Sequence, residues 1–378
     1  MSREVRVSFL SGLELSRRFY WEAVRPLLDQ HFPGVPHAAA LLGPGSEVLG
    51  FDTTLSMDHD WFPRVQLFLR VQDAGLEARI GQVLADGLPH RFLELPVDAV
   101  PYAPEPETRL MALRTSGPVQ HGVVALTVRA ASRRWLNWEP DRDPEPADWL
   151  TFPSQVLRSV TGGAVHHDEV GELTAFRSRL AWYPHDVWLY VLASGWRRIA
   201  QEEHLMPRAG HAGDEVGSAI IAARLVRDCM RLCFLIERRY APYPKWLGTA
   251  FGQLSCAGEL SPHLWRALQA PTWQAREKAL CEAYEHLARL HNGLNITEPL
   301  PTPVSGYYSR PFQVIHADRF ATALLDQITD PIVRQIANRG LIGSVDQFSD
   351  STDLRSYEAW RPRLRALYEG GSPPNAGE

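Results

Sequence analysis

Gly43-Pro44-Gly45-Ser46-Glu47-Val48-Leu49-Gly50-Phe51-Asp52-Thr53-Thr54-Leu55-Ser56-Met57-Asp58-His59-Asp60 is the stretch that decides the fold. The apolar run Ala38 to Leu42 leads into it, and Val65 to Leu69, alternating as a strand does, leads out. The order is therefore strand, glycine turn, polar loop, strand. Asp58 and Asp60 stand two apart just before the second strand. In extended chain, side chains at i and i+2 share a face, so both carboxylates can serve the same cations. Paired Mg²⁺ ions in phosphoryl-transfer sites lie about 4 Å apart and are held by hard oxygen ligands. Glycine admits the close approach of a phosphate, and successive backbone N–H groups in a turn cradle an anion. Ser46 adds a hydroxyl. His59, between the two acids, is expected on the opposite face.

This arrangement resembles the signature of the nucleotidyltransferase superfamily with the DNA polymerase β-like fold. Its pattern is Gly-Ser, about ten residues of loop, then Asp-x-Asp on the next strand. Gly45-Ser46 and Asp58-His59-Asp60 match it in type, order and spacing. The chain also looks like a bacterial family of uncharacterised proteins with a nucleotidyltransferase-like first half and a helical second half. Four blocks carry that likeness: 45–61, 171–188, 239–248 and 343–348. The resemblance implies an α+β fold, with an N-terminal mixed sheet flanked by helices followed by a C-terminal helical bundle. It also implies a Mg²⁺- or Mn²⁺-dependent transfer of NMP from NTP to an acceptor: a small molecule, a protein or an RNA end. Asp58 and Asp60 would hold the metal, and Gly45 and Ser46 the triphosphate.

Two departures accompany the match. The superfamily places a third carboxylate on a later strand, and the strand expected at His121 to Arg129 contains no acid. Glu94, on the apolar segment Arg91 to Val97, is the candidate substitute. Pro44 sits inside the turn and removes one N–H from the anion cradle. These departures frame an alternative function, a catalytically silent nucleotide-binding sensor or partner protein with the same fold.

The rest of the chain supplies the frame. Residues 13 to 32 read as a helix interrupted at Pro26. His121 to Arg129 is nearly all apolar and reads as a central strand. Glu139 to Asp148, with three prolines among five acids, reads as a linker. The boundaries expected are 1–150 for the first domain, 151–295 for the bundle, 296–368 for a mixed helical extension and 369–378 for a disordered tail. Pro184 opens one helix, and the longest spans 214–239, with Val216 and Ile220 on its apolar side. Arg224, Arg227 and Arg231 recur on that helix at helical spacing, either as a solvated stripe or as a basic wall facing triphosphate. Lys245, in Tyr243-Pro244-Lys245-Trp246, is a candidate phosphate ligand. His166-His167-Asp168-Glu169 reads as loop residues capping the next helix, with a metal site as the rival. Asp346, Asp350 and Asp353 read as helix caps or surface.

Composition narrows the class. At 45% hydrophobic and 22% charged, the 378 residues suit a soluble globular protein. A formal net charge of -5 gives no strong nucleic-acid signal. No run approaches the ~18 apolar residues of a membrane span. The four cysteines lack metal-ligand spacing and read as buried free thiols, and with no apolar signal core at the N-terminus a cytoplasmic protein is expected.

Overall fold

The computed structural model describes residues 9–369. The first elements are α1 (Gly12–Phe19) and α2 (Arg25–His31), joined by a π-turn at Tyr20–Val24. Pro26 lies in the first turn of α2, where a missing N–H costs nothing; the wider π-turn carries the chain into it. β1 (His37–Leu41) follows, with all five residues buried, and then β2 (Arg64–Leu69). Next come α3 (Glu77–Gly87), the hairpin β3 (Arg91–Phe92) and β4 (Leu95–Pro96), the hairpin β5 (Ala99–Tyr102) and β6 (Glu105–Met111), and β7 (Gly122–Thr127). α4 (Val128–Leu136), α5 (Pro146–Thr151), α6 (Ser154–Thr161), β8 (Ala164–Asp168) and α7 (Glu172–Arg179) complete this part of the chain.

The chain forms two compact units. One holds residues 1–143 and 156–181, the other 144–155 and 182–378. The sequence suggests one boundary near residue 150, but the chain changes units at three places. The reason lies in β8. It pairs antiparallel with β1, Ala38 opposite Asp168, so residues 164–168 belong to the first unit's sheet.

That sheet has the order β7-β2-β1-β8. β1 and β2 are antiparallel; β2 and β7 are parallel, as an intervening helical crossover permits. The mixed sheet with flanking helices is the architecture expected, with one correction. β7 lies at the sheet's edge, not its centre, and Val124 is 44% exposed there. Its apolar composition comes from packing on one face. The helix-side core gathers Leu15, Phe19, Val24, Leu67, Ile80 and Leu84. Asp168 accepts from Gly171 N and from Thr174 N and Oγ1, and so caps α7; its two histidine neighbours sit in a strand.

The second unit is helical. It comprises α8 (His185–Glu202), α9 (Leu205–His211), α10 (Glu215–Ile236), α11 (Pro244–Phe251), α12 (Ala257–Gln269) and α13 (Trp273–Gly293). A two-strand ribbon of β9 (Ser305–Gly306) and β10 (Gln313–Val314) then leads to α14 (Asp318–Asp326), α15 (Pro331–Arg339), α16 (Val345–Phe348), α17 (Thr352–Ser356) and α18 (Arg361–Glu369). α10 starts where Asp214 accepts from Gly217 N at 2.7 Å. Val216 and Ile220, expected on its apolar side, are 72% and 58% exposed; the buried face of that stretch runs through Ser218 and Ala222, with Ser218 held by Arg276 of α13. The four cysteines are buried and free. No helix among the described residues is long and apolar enough to cross a membrane. The expected tail, apart from Glu369, lies outside the described residues.

Trp196 anchors the helical unit. It is fully buried, stacks on Phe320 with centroids 4.2 Å apart, and donates from Nε1 to His291 Nδ1 at 3.2 Å. Trp196→Ala is expected to lower unfolding free energy by about 3–5 kcal/mol, measured by urea denaturation. Glu203, at the end of α8, is buried and accepts from Ile315 N at 2.7 Å and Ala317 N at 3.0 Å. Burial outweighs those bonds and pushes its carboxyl up to about 7. A folded-state pKa above the unfolded value means the native state holds the proton more tightly. The stability this adds is present below about pH 4.5 and is lost as pH rises towards 7. Relative to Glu203→Gln, the wild type should therefore lose roughly 3 kcal/mol across that interval. Parallel urea titrations of the two proteins check the slope.

Candidate functional site

The glycine turn follows β1 directly. Gly43 (φ +87°) and Gly45 (φ +145°) both need backbone that side chains rarely adopt. Yet the space beside Gly45 is occupied from within. A Cβ there would lie 2.6 Å from Arg64 Nη2 and 2.7 Å from Glu47 Oε1. Arg64, the first residue of β2, donates to Pro44 O at 2.9 Å and forms a close ion pair with the buried Glu47. Turn amides are also committed: Gly43 N donates to Ser159 O, and Gly50 N to Glu47 O. Ser46 O accepts from Phe51 N. The cation beside this turn is the protein's own, and its carboxylate partner already neutralises it.

Asp58 and Asp60 are not on β2, which begins four residues after Asp60. Asp58 ends a 3₁₀ turn, Thr54–Asp58, and accepts from His59 N at 3.0 Å. The hydrogen bond from the His59 ring lowers its pKa from the usual carboxylate value. Asp60 has φ +52°, and its Oδ1 accepts from Arg109 N at 2.9 Å. The left-handed residue breaks the extended alternation that would set both carboxylates on one face. Glu94 needs correction too. It sits at the tip of the β3–β4 hairpin, where Leu93 and Glu94 both have positive φ, as a two-residue turn of this hand requires. Its side chain is 75% exposed and lies 3.8 Å from Arg91. The nearby buried acid is Asp98, which is held by His90 Nδ1 and Gln120 N, both at 2.9 Å. Among the described residues no group of three or more His, Cys, Asp or Glu is arranged to hold a metal ion.

In the helical unit the arginine stripe is bound to acids. Arg224 pairs with Glu202, and Arg227 with Asp350 at 2.6 Å. Arg231 donates to Asp346 O and lies 3.9 Å from Asp350. Burial pushes the Arg231 guanidinium down from its usual value. Asp228 pairs with Arg198 at 3.1 Å. The stripe thus braces α10 against α8 and against the segment bearing α16. Lys245 is exposed on α11, 5.1 Å from the Trp246 ring.

The same bracing frames a pocket, with a cavity volume of about 40 Å³, that sequence reading missed. Its aromatic side is Trp182, Tyr183 and Tyr240, with ring centroids 4.8–5.2 Å apart. Arg198, Arg231 and Arg239 line it together with Asp228 and Asp346. Asp228 Oδ1 and Trp182 Nε1 are buried and make no hydrogen bond among the described residues. Arg239 has no side-chain partner among the described residues, unlike the stripe on α10. The signal was present in the sequence as three separate blocks, at 171–188, 239–248 and 343–348; each contributes lining residues.

The ion pair at the turn makes a stability prediction. Arg64→Ala leaves Glu47 buried without its cation and should cost about 3–5 kcal/mol. A double variant, Glu47→Leu with Arg64→Met, should recover most of that loss in the same urea titration.

A family model described as a domain of unknown function, DUF4037, matches residues 149–247. All the pocket's lining residues except Ser344, Asp346 and Gln347 fall inside that stretch. No curated protein matches the chain. Among solved structures, a nucleotidyltransferase-like protein from Exiguobacterium sibiricum 255-15 is similar over 71% of this chain and 75% of its own length, at 11% identity and a TM-score of 0.30.

Proposed function

We propose that the chain is a nucleotide-binding protein that does not carry out nucleotidyl transfer, with its binding site in the helical unit's pocket. The observation that carries this reading is the pocket's aromatic wall with an unpaired arginine at its rim, set against a glycine turn whose space is filled. At the glycine turn, Arg64 and Glu47 form an ion pair and occupy the space beside Gly45. Among the residues that line the pocket, Asp228 Oδ1 and Trp182 Nε1 make no hydrogen bond, and the Arg239 guanidinium has no ion-pair partner among the described residues. Aromatic side chains offer a face for a base, and a free guanidinium suits a phosphate.

A second reading keeps the transferase chemistry: Mg²⁺ or Mn²⁺ on Asp58 and Asp60, NTP at Gly45 and Ser46, and an unidentified acceptor. The order of strands favours it, since Gly-Ser follows β1, Asp-x-Asp precedes the antiparallel β2, and β7 runs parallel to β2. A base for the acceptor hydroxyl would add roughly 10²–10⁴-fold in rate, and Glu94 at a hairpin tip is poorly placed to be one.

One set of measurements separates the two. Nucleotides should raise the melting temperature in EDTA as much as in Mg²⁺. The Asp58→Asn, Asp60→Asn double variant should keep that shift, and radiolabelled NTP should label nothing in a cell extract. A shift that needs the metal and disappears in the double variant, with transfer of label, establishes the transferase instead.

A further inference from the structure

We propose that His37, His166 and His167 form an acid-sensitive latch in the first unit. As neutral imidazoles they fasten the layer of α1 and α2 to β1 and to the edge strand β8, and on protonation they release it.

A bulge brings the three rings together. Ala39 of β1 pairs with His167 but Ala40 with Val165, so His166 is the extra residue in β8. Successive residues of a regular strand point to opposite faces. Here both histidines reach the Tyr20 ring, His166 at 6.5 Å and His167 at 6.1 Å between centroids. His37, the first residue of β1, lies 5.3 Å from His167 by the same measure. Ser16 of α1, Tyr20 of the π-turn and Arg25 of α2 supply the other side of the cluster.

The hydrogen bonds run in one direction and need neutral rings. An arginine only donates, so Arg25 Nη1 makes His167 Nε2 an acceptor at 3.2 Å. The same Nη1 donates to the Tyr20 hydroxyl at 3.2 Å. A carbonyl only accepts, so His37 Nδ1 carries a hydrogen and donates it to Val35 O at 3.2 Å. The Tyr20 hydroxyl, supplied by Arg25, passes its own hydrogen to His37 Nε2 at 3.0 Å. A proton on Nε2 of His37 or His167 sets donor against donor. His166 Nε2 meets the Ser16 hydroxyl at 2.9 Å.

Charge acts in the same sense. The cluster faces Glu14 and Arg17 from α1, Arg25 and Asp29 from α2, and Glu169 beyond β8. Arg17 pairs with Glu14 at 2.6 Å and Arg25 with Asp29 at 2.7 Å. New cations on the rings would find Glu169, 3.7 Å from His167, to balance them. A cavity of about 90 Å³ lined by Arg25, Asp29, His37 and Glu169 has room for water, which carries protons to the cluster. Burial holds His37 below its usual value and brings His166 down to about 4. A folded-state pKa below the unfolded value means that the latch's stability is complete above about pH 6.5 and is lost as pH falls below it. The chain just before β8 closes over the glycine turn, with Gly163 N donating to Val48 O, so release of β8 loosens that cover.

The test is hydrogen exchange on the full chain, read as protection factors at about pH 7.5 and about pH 5. Peptides spanning 25–31 and 163–168 should lose at least about tenfold in protection on acidification, while α4, on the far side of β7 in the same unit, keeps its own. In the His37→Gln, His167→Gln double variant, whose amides take up no proton in this range, that loss should disappear. Side chains that served packing alone would lower the variant's protection at both pH values and leave the loss on acidification unchanged. Should the variant fail to fold, the imidazole ¹⁵N shifts of the wild type decide. At about pH 7.5 His37 and His167 should both be neutral with the hydrogen on Nδ1. A charged ring there, or a hydrogen on Nε2, overturns the latch. So do equal protection at the two pH values, a loss shared equally by α4, and an unchanged loss in the double variant.

Discussion

The pairing of β1 on both sides sets the architecture of the first unit. All five residues of the strand are buried, with β2 antiparallel on one side and β8 antiparallel on the other. An unpaired edge on so apolar a strand would be an aggregation site. Its second partner lies about 120 residues further along the chain, so the polypeptide must leave after residue 143 and return by residue 156. The glycine turn inherits its position from this arrangement, for it follows β1 at once. Gly43 N then donates to Ser159 O and Gly163 N to Val48 O, so the returning segment closes over the turn.

The first two strands and the helical second half were legible because periodicity and apolar runs report burial directly. β1, β2, α8 and α10 all lie close to where their spacing places them. What failed was the conformation of single residues. Asp58 and Asp60 read as an extended pair, but a 3₁₀ turn and a left-handed residue intervene, and nothing in side-chain type announces a positive φ at an aspartate. Glu94 read as the substitute carboxylate on an apolar segment, whereas a six-residue hairpin too short to be seen by alternation puts it at the tip. β7 read as central since an apolar run reports packing on its faces and says nothing of hydrogen-bonded neighbours.

The pocket was invisible for a different reason. Its three contributing blocks are separated by 50 residues or more, and each alone reads as a helix start or a turn. Only the folded helices bring Trp182, Tyr240 and Asp346 to one cavity. The arginine stripe shows the same limit. Spacing identified Arg224, Arg227 and Arg231 as one face, but whether that face meets solvent, ligand or acid depends on Glu202 and Asp350, which are remote in sequence.

The threefold crossing of the chain between units has a consequence for modularity. Cutting once, near residue 150, severs no unit cleanly: the first fragment lacks β8 and carries α5, which belongs to the helical unit. Neither unit is a cassette that could be exchanged by a single recombination event.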